Sequence, residues 1–177
     1  MKNMKIFKGA VLTFTLILVS SLIWAQGGKP SPAATATGKT KSGATITVNY
    51  SSPGVKGREI WGKLVPYNKV WRAGANEATI ITIDKDTKVD GKALPAGKYS
   101  LYALVGEKEW TIIFNSQTGQ WGITRAGETT EDPAKDVLRV KVKPNKSAAM
   151  NERLVYTIND KGFVLSWENL DVPVSVK

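Results

Sequence analysis

The sequence contains no histidine and no cysteine. Without histidine it lacks the side chain that most often serves as general base near neutral pH, the Ser-His-Asp arrangement and imidazole metal ligands. Without cysteine it lacks disulfides, thiolate nucleophiles and the usual zinc and copper sites. Any catalysis must draw on carboxylates, Lys, Tyr, Ser or Thr, and any metal would have to be oxygen-ligated, as calcium and magnesium are. Residues 84–91 (DKDTKVDG) are the one stretch resembling an acidic metal loop. Lys88 falls where such a loop needs its third oxygen, and Asp90-Gly91 is a hairpin-turn pair, so the segment reads as a strand end and a turn. No metal and no cofactor is expected. Helical periodicity is nearly missing too, with at most a single turn around residues 60–64.

What is present begins with a targeting segment. Lys2, Lys5 and Lys8 precede an apolar run over residues 10–19, and Ala25 offers a small residue for cleavage. That run is shorter than the ~20 residues a bilayer span requires, so residues 1–25 read as a signal peptide and no stable membrane span is expected after cleavage. The expected location is periplasmic or secreted. Cleavage would leave 152 residues, enough for one domain with a core of its own, and would lower the charge from +10 to +7.

The basic residues are mostly scattered. Arg139, Lys141 and Lys143 alternate with Leu138, Val140 and Val142 and would share one face of a strand. Such a stripe reads as the solvated side of an outer strand. With no binding motif, nucleic acid is not an expected partner.

Residues 26–44 are rich in Gly, Pro, Ser, Thr and Ala and read as a flexible linker. From residue 45 onward short apolar alternations recur: TITVNY, TIITID, KYSLYALV, EWTIIFN, VLRVKVK, RLVYTI, FVLSWEN and LDVPVSVK. Turn signals separate them: Asp90-Gly91, PAG at 95–97 and NDKG at 159–162. Residues 126–136 read as a loop. The pattern predicts an all-β domain over 45–177, an antiparallel β-sandwich of jelly-roll or immunoglobulin-like type.

One connection departs from strand-making. Residues 53–77, PGVKGREIWGKLVPYNKVWRAGANE, gather Arg58, Glu59, Trp61, Lys63, Tyr67, Trp71, Arg72, Asn76 and Glu77. Long aromatic connections in compact domains tend to be functional or to fold over the core. If the strand TIITID is extended back to Glu77, its alternation places Glu77 with Thr79, Ile81 and Ile83 at the rim of an apolar face. A carboxylate there needs a partner, and Arg72 is the nearest in sequence. Two readings stay open: a structural Arg72–Glu77 pair with Asn76 tying the loop, or a cleft lined by Arg72, Asn76 and Glu77 and walled by Trp61, Trp71 or Trp121. A cleft of that composition would suit a carbohydrate or a peptide. Trp110 and Trp167 read as core. Glu59 and Glu77 are also weighed as a glycosidase pair, for which the sequence supplies no separation.

The segments YSSPGVKGREIWGKLVPYNKVWRAGANEATII, LPAGKYSLYAL, EWTIIFN, QWG and DVLRVKVKP resemble a bacterial family of exported proteins, domain-of-unknown-function family 2911. The motif WRAGANEAT at 71–79 is the most specific part, and the resemblance runs from about residue 45 to the C-terminus. It implies export and a single domain, and it adds no catalytic role. The expected function is a non-catalytic ligand-binding module of the cell envelope. The alternatives are a carboxylate-based hydrolase using Glu77 and Arg72, and a structural envelope protein.

Overall fold

A computed structural model describes residues 30–177; the expected signal peptide over 1–25 lies outside them. Eleven strands follow in order: β1 (Ala33–Lys39), β2 (Thr45–Ser51), β3 (Val70–Trp71), β4 (Thr79–Ile83), β5 (Thr87–Val89), β6 (Lys92–Leu94), β7 (Gly97–Leu104), β8 (Trp110–Asn115), β9 (Asp136–Val142), β10 (Asn145–Asn159) and β11 (Gly162–Ser175). Among the described residues the one helical element is a 3-10 turn, Pro133–Lys135, capped by the Asp132 carboxylate on the Ala134 amide. Among the described residues no helix is long and apolar enough to cross a membrane. The expected turn of helix near residues 60–64 is a set of hydrogen-bonded turns, with the Val65 amide reaching back to the Ile60 carbonyl.

Seven strands form one antiparallel sheet in the order β1-β2-β4-β7-β8-β9, with β3 also paired to β7. Alternation decides its two faces. Ile46, Val48, Ile81, Ile83, Leu101, Ile112, Phe114 and Val140 all point inward and are buried. Covering them is a second layer built from the β10–β11 hairpin, whose Leu154, Tyr156, Phe163, Leu165 and Trp167 belong to the same core. β11 doubles back at Glu168, where φ is 52°, so its end returns to its beginning and the Val176 amide donates to the Lys161 carbonyl. The β5–β6 hairpin joins this layer through the Val89–Val176 bridge and the reciprocal backbone bonds of Lys88 and Lys177.

The all-β antiparallel class is as expected. Along the large sheet the strands follow one another largely as in a meander, and the β10–β11 layer packs over its inner face. The flexible linker over 26–44 needs correction. Residues 33–39 form β1, an edge strand in full register with β2 from Ala33–Ser51 to Lys39–Thr45. Its threonines and small residues hide the pattern: every second residue is fully exposed and the others only half-buried, so no apolar alternation marks the strand. The basic stripe on β9 is the solvated face it was read as, with Arg139 bonded to Glu131 and Asp136 and Lys141 to Glu109.

Candidate functional site

β3 and β4 are two pieces of one strand. Trp71 pairs with Ala103 and Thr79 with Leu101, both on β7, so eight steps of chain lie opposite two. The surplus is the segment 72–78, an excursion out of the sheet edge. Its residue types follow from how tightly it is folded. Ala73 and Asn76 both have left-handed backbones, at φ 50° and 57°. The Ala73 carbonyl accepts from the Thr79 hydroxyl at 3.0 Å and the buried Tyr156 hydroxyl at 2.8 Å. A Cβ on Gly74 would lie 2.6 Å from the Thr79 hydroxyl oxygen, so only glycine fits there. The Asn76 amide nitrogen donates to the Ser31 carbonyl at 3.0 Å and to the Ser51 hydroxyl at 3.1 Å, fastening the entry to β1 onto the excursion.

This excursion projects Trp71 and Arg72 from its rim. Trp71 donates its indole N–H to the Gly74 carbonyl at 3.0 Å and stacks on Trp167 at 5.8 Å between centroids. Trp61 packs edge-on against Trp71, Trp110 and Trp167 at 6.1, 4.9 and 5.6 Å. Four of the six tryptophans therefore form one cluster, joining the 53–77 connection to both layers. The N–H groups of Trp61 and Trp167 are buried without an oxygen or nitrogen acceptor, and the π faces of neighbouring indoles are the electron-rich groups beside them.

A cleft of about 490 Å³ opens over this cluster. Trp71 and Trp167 line it, with Leu64, Val65, Pro66 and Val70 from the connection and Ile123 and Thr129 from the loop between β8 and β9. Its charged groups are Arg58, Lys69, Arg72 and Glu128. Lys69 and Glu128 pair at 3.7 Å across the opening, both well exposed. A larger hollow of about 800 Å³ lies at the far tips of the β1–β2 and β10–β11 turns and contains none of the predicted residues.

The expected site is brought together only in part. Trp71 and Arg72 line the cleft. Trp61 belongs to the indole cluster behind it. Asn76 is spent on loop closure. Trp121 is 49% exposed and outside the cleft, with its carbonyl accepting from Arg72 at 3.4 Å and its ring 6.0 Å from that guanidinium. Glu77 is exposed, because β4 begins only at Thr79 and the left-handed residues before it break the alternation used to place it. No ion pair within 4 Å joins Arg72 and Glu77. Their charges still interact: burial is the largest influence on Arg72 and lowers its pKa, while Glu77 and then Tyr102 push it back up. Glu59 is exposed and does not line the cleft, so the glycosidase pair has no shared site.

Sequence reasoning missed the loop between β8 and β9 as the second wall. The signal was its length together with Gly119, Gly122 and Gly127, all at positive φ. Gly122 is needed where it stands, since a Cβ there would lie 2.8 Å from Cβ and Cδ of Arg72. The same loop covers a small apolar cluster of Ala78, Tyr102 and Ile113 on the outer face of the sheet. Gln120 donates to the Tyr102 hydroxyl at 2.8 Å, and the buried Asn115 donates to the Asp132 carbonyl and to Asp136.

At the foot of this loop Glu131 accepts from Arg139 at 2.7 Å, with its side chain only 3% exposed. Burial first, then the charge and hydrogen bond of Asp136, push the Glu131 carboxyl up to about 6, and Arg139 opposes them. The folded protein thus holds this proton more tightly than the unfolded chain, whose carboxyl titrates near 4.5. The stabilisation from protonated Glu131 is full below that value and is lost as pH rises through about 6. Glu131→Gln is expected to flatten the decline in melting temperature across this window. Equal slopes for the variant and the parent would remove Glu131 as its source.

The family whose description reads "Protein of unknown function (DUF2911)" matches residues 31–176. The match starts well before residue 45, which accords with β1 being part of the domain. No curated protein and no solved structure matches the chain.

Proposed function

The chain belongs to the DUF2911 family, and on that premise we propose that it is a non-catalytic ligand-binding module of the cell envelope. The observation that carries this reading is the 490 Å³ cleft over Trp71 and Trp167. Its size lies in the range of small-molecule sites, and apolar walls with a few charged groups are the composition such sites have. The ligand has a planar or apolar face for the indoles, as a carbohydrate ring or a peptide segment does. The hydrolase reading draws no support from the geometry, because Glu77 is not among the residues that line the cleft and the carboxylate that does, Glu128, is exposed and paired with Lys69.

The test is intrinsic fluorescence and thermal shift on the protein recovered from expression of the full chain, screened against oligosaccharides and short peptides. A binder is expected to perturb the tryptophan emission and raise the melting temperature. Leu64→Asp, which puts a charge on the 44%-exposed apolar lip of the cleft, is expected to weaken that binder about ten-fold or more. A binder indifferent to Leu64→Asp, or a screen in which nothing binds, would remove the cleft as a site.

A further inference from the structure

Arg72 is half-buried and has no carboxylate within 4 Å among the described residues. Its one hydrogen-bond acceptor among the described residues is the Trp121 carbonyl at 3.4 Å, a long contact that engages Nη1 alone. Among the described residues the other guanidinium nitrogens have no hydrogen-bond acceptor. The Gly122 backbone packs close to the Arg72 stem, and the Trp121 ring lies 6.0 Å from the guanidinium. Glu77 interacts favourably with this charge but makes no ion pair with it within 4 Å, so the partly desolvated guanidinium is compensated only in part.

Arg58 lines the same cleft; it is exposed, and backbone carbonyls orient it. Nε donates to the Val55 carbonyl at 3.1 Å and Nη2 to the Gly54 carbonyl at 2.6 Å. These carbonyls fix the orientation of the guanidinium and leave its charge uncancelled. Among described residues it too has no carboxylate partner. The only acidic residue among the described residues that line the cleft, Glu128, pairs with Lys69. The cleft therefore combines an apolar indole wall with two guanidinium groups that have no ion-pair partner within 4 Å among the described residues.

We propose that the ligand of this cleft is an organic anion, whose acid group is received by Arg72 and Arg58 and whose apolar or planar body lies on Trp71, which the buried Trp167 backs. Guanidinium N–H groups match carboxylate, sulfonate and phosphate oxygens, and such charge-assisted bonds are stronger than neutral ones. An acidic sugar and an acidic peptide or aromatic acid share this chemistry. The inference rests on the ligand-binding reading above and deepens it.

Matched pairs of probes test it. One pair is 4-phenylbutyrate and 4-phenylbutyramide; the other is trigalacturonate and its methyl ester. Binding is read by tryptophan fluorescence and by calorimetry. In at least one pair the acid is expected to bind about ten-fold or more tightly than its neutral partner, and which pair responds separates the aromatic from the sugar source. Added salt is expected to shrink that preference. Arg72→Gln and Arg58→Gln should each reduce it several-fold, and the double variant should abolish it. Arg72→Lys, which keeps the charge and loses the fork, should retain only part. Should Arg72→Gln fold poorly, Arg58→Gln and the salt dependence still decide the matter. If neutral probes bind as well as acids, or the preference for acids survives the double variant, the anion inference fails and the binding reading stands. If no probe of either kind binds, both fail.

Discussion

Replacing Trp167 with alanine is expected to cost about 3–5 kcal/mol of stability, among the largest losses a single side chain here can produce. Trp167 is 1% exposed, stacks on Trp71, and meets Trp61 edge-on. Its removal would leave a void between the two layers, and three other indoles would lose a packing partner or the support behind one. Relaxation can fill only part of such a void, because each neighbour is itself held by a third. Trp121→Ala provides the comparison. That ring is half-exposed and stands over a guanidinium, and its loss is expected to cost less than about 1 kcal/mol. Urea unfolding of both variants checks the contrast. Equal, small losses would mean that the indole cluster is not part of the core.

The second large effect is expected at Gly162. Its φ of 141° is accessible to glycine and hardly to any other residue. A Cβ there would stand 2.1 Å from the Val174 carbonyl oxygen and 2.7 Å from the Val176 amide nitrogen. Both are backbone atoms and cannot swing aside. Gly162→Ala is therefore expected to cost at least about 3 kcal/mol, strain and steric overlap together. Gly91 is the contrasting position: its φ is 80° and no atom lies within 4 Å of where a Cβ would be. Gly91→Asn, a residue that tolerates this turn, should cost little. If Gly162→Ala melted within a few degrees of the parent, the return of β11 against its own start would be wrong.

The contrast between these two glycines also shows what the sequence can carry. Asp90-Gly91 was legible as a turn because a two-residue hairpin demands left-handed residues locally, and both have positive φ. The faces of β4, β8 and β9 were legible for a similar reason, since alternation is a local consequence of strand geometry. Gly162 is constrained by residues twelve and fourteen positions away, and nothing beside it announces that. The motif 71–79 failed in the same manner. Its polar residues suggested a site, but Ala73, Gly74 and Asn76 are dictated by a tight excursion and by Tyr156, Thr79, Ser31 and Ser51. Phase carried back from TIITID did not survive two left-handed residues, so Glu77 faced elsewhere. Trp71 precedes the excursion and Arg72 begins it, and both line the cleft. The opposing wall, with Ile123 and Thr129, is more than fifty residues from Trp71 and has no periodicity to reveal it.

The order of the layers along the chain has a consequence for how the protein is made. Every strand of the large sheet is complete by Val142, while β10 and β11, which cover its inner face, come afterwards. A polypeptide emerging N-terminus first would have Ile46, Val48, Ile81, Leu101, Ile112 and Phe114 out of the exit channel before the residues that bury them had been added. Premature sheet formation at that stage would expose a broad adhesive surface to other nascent chains. The topology thus rewards delay: a carrier that keeps the chain extended until synthesis ends, as export in an unfolded form does, would let the two layers meet at once.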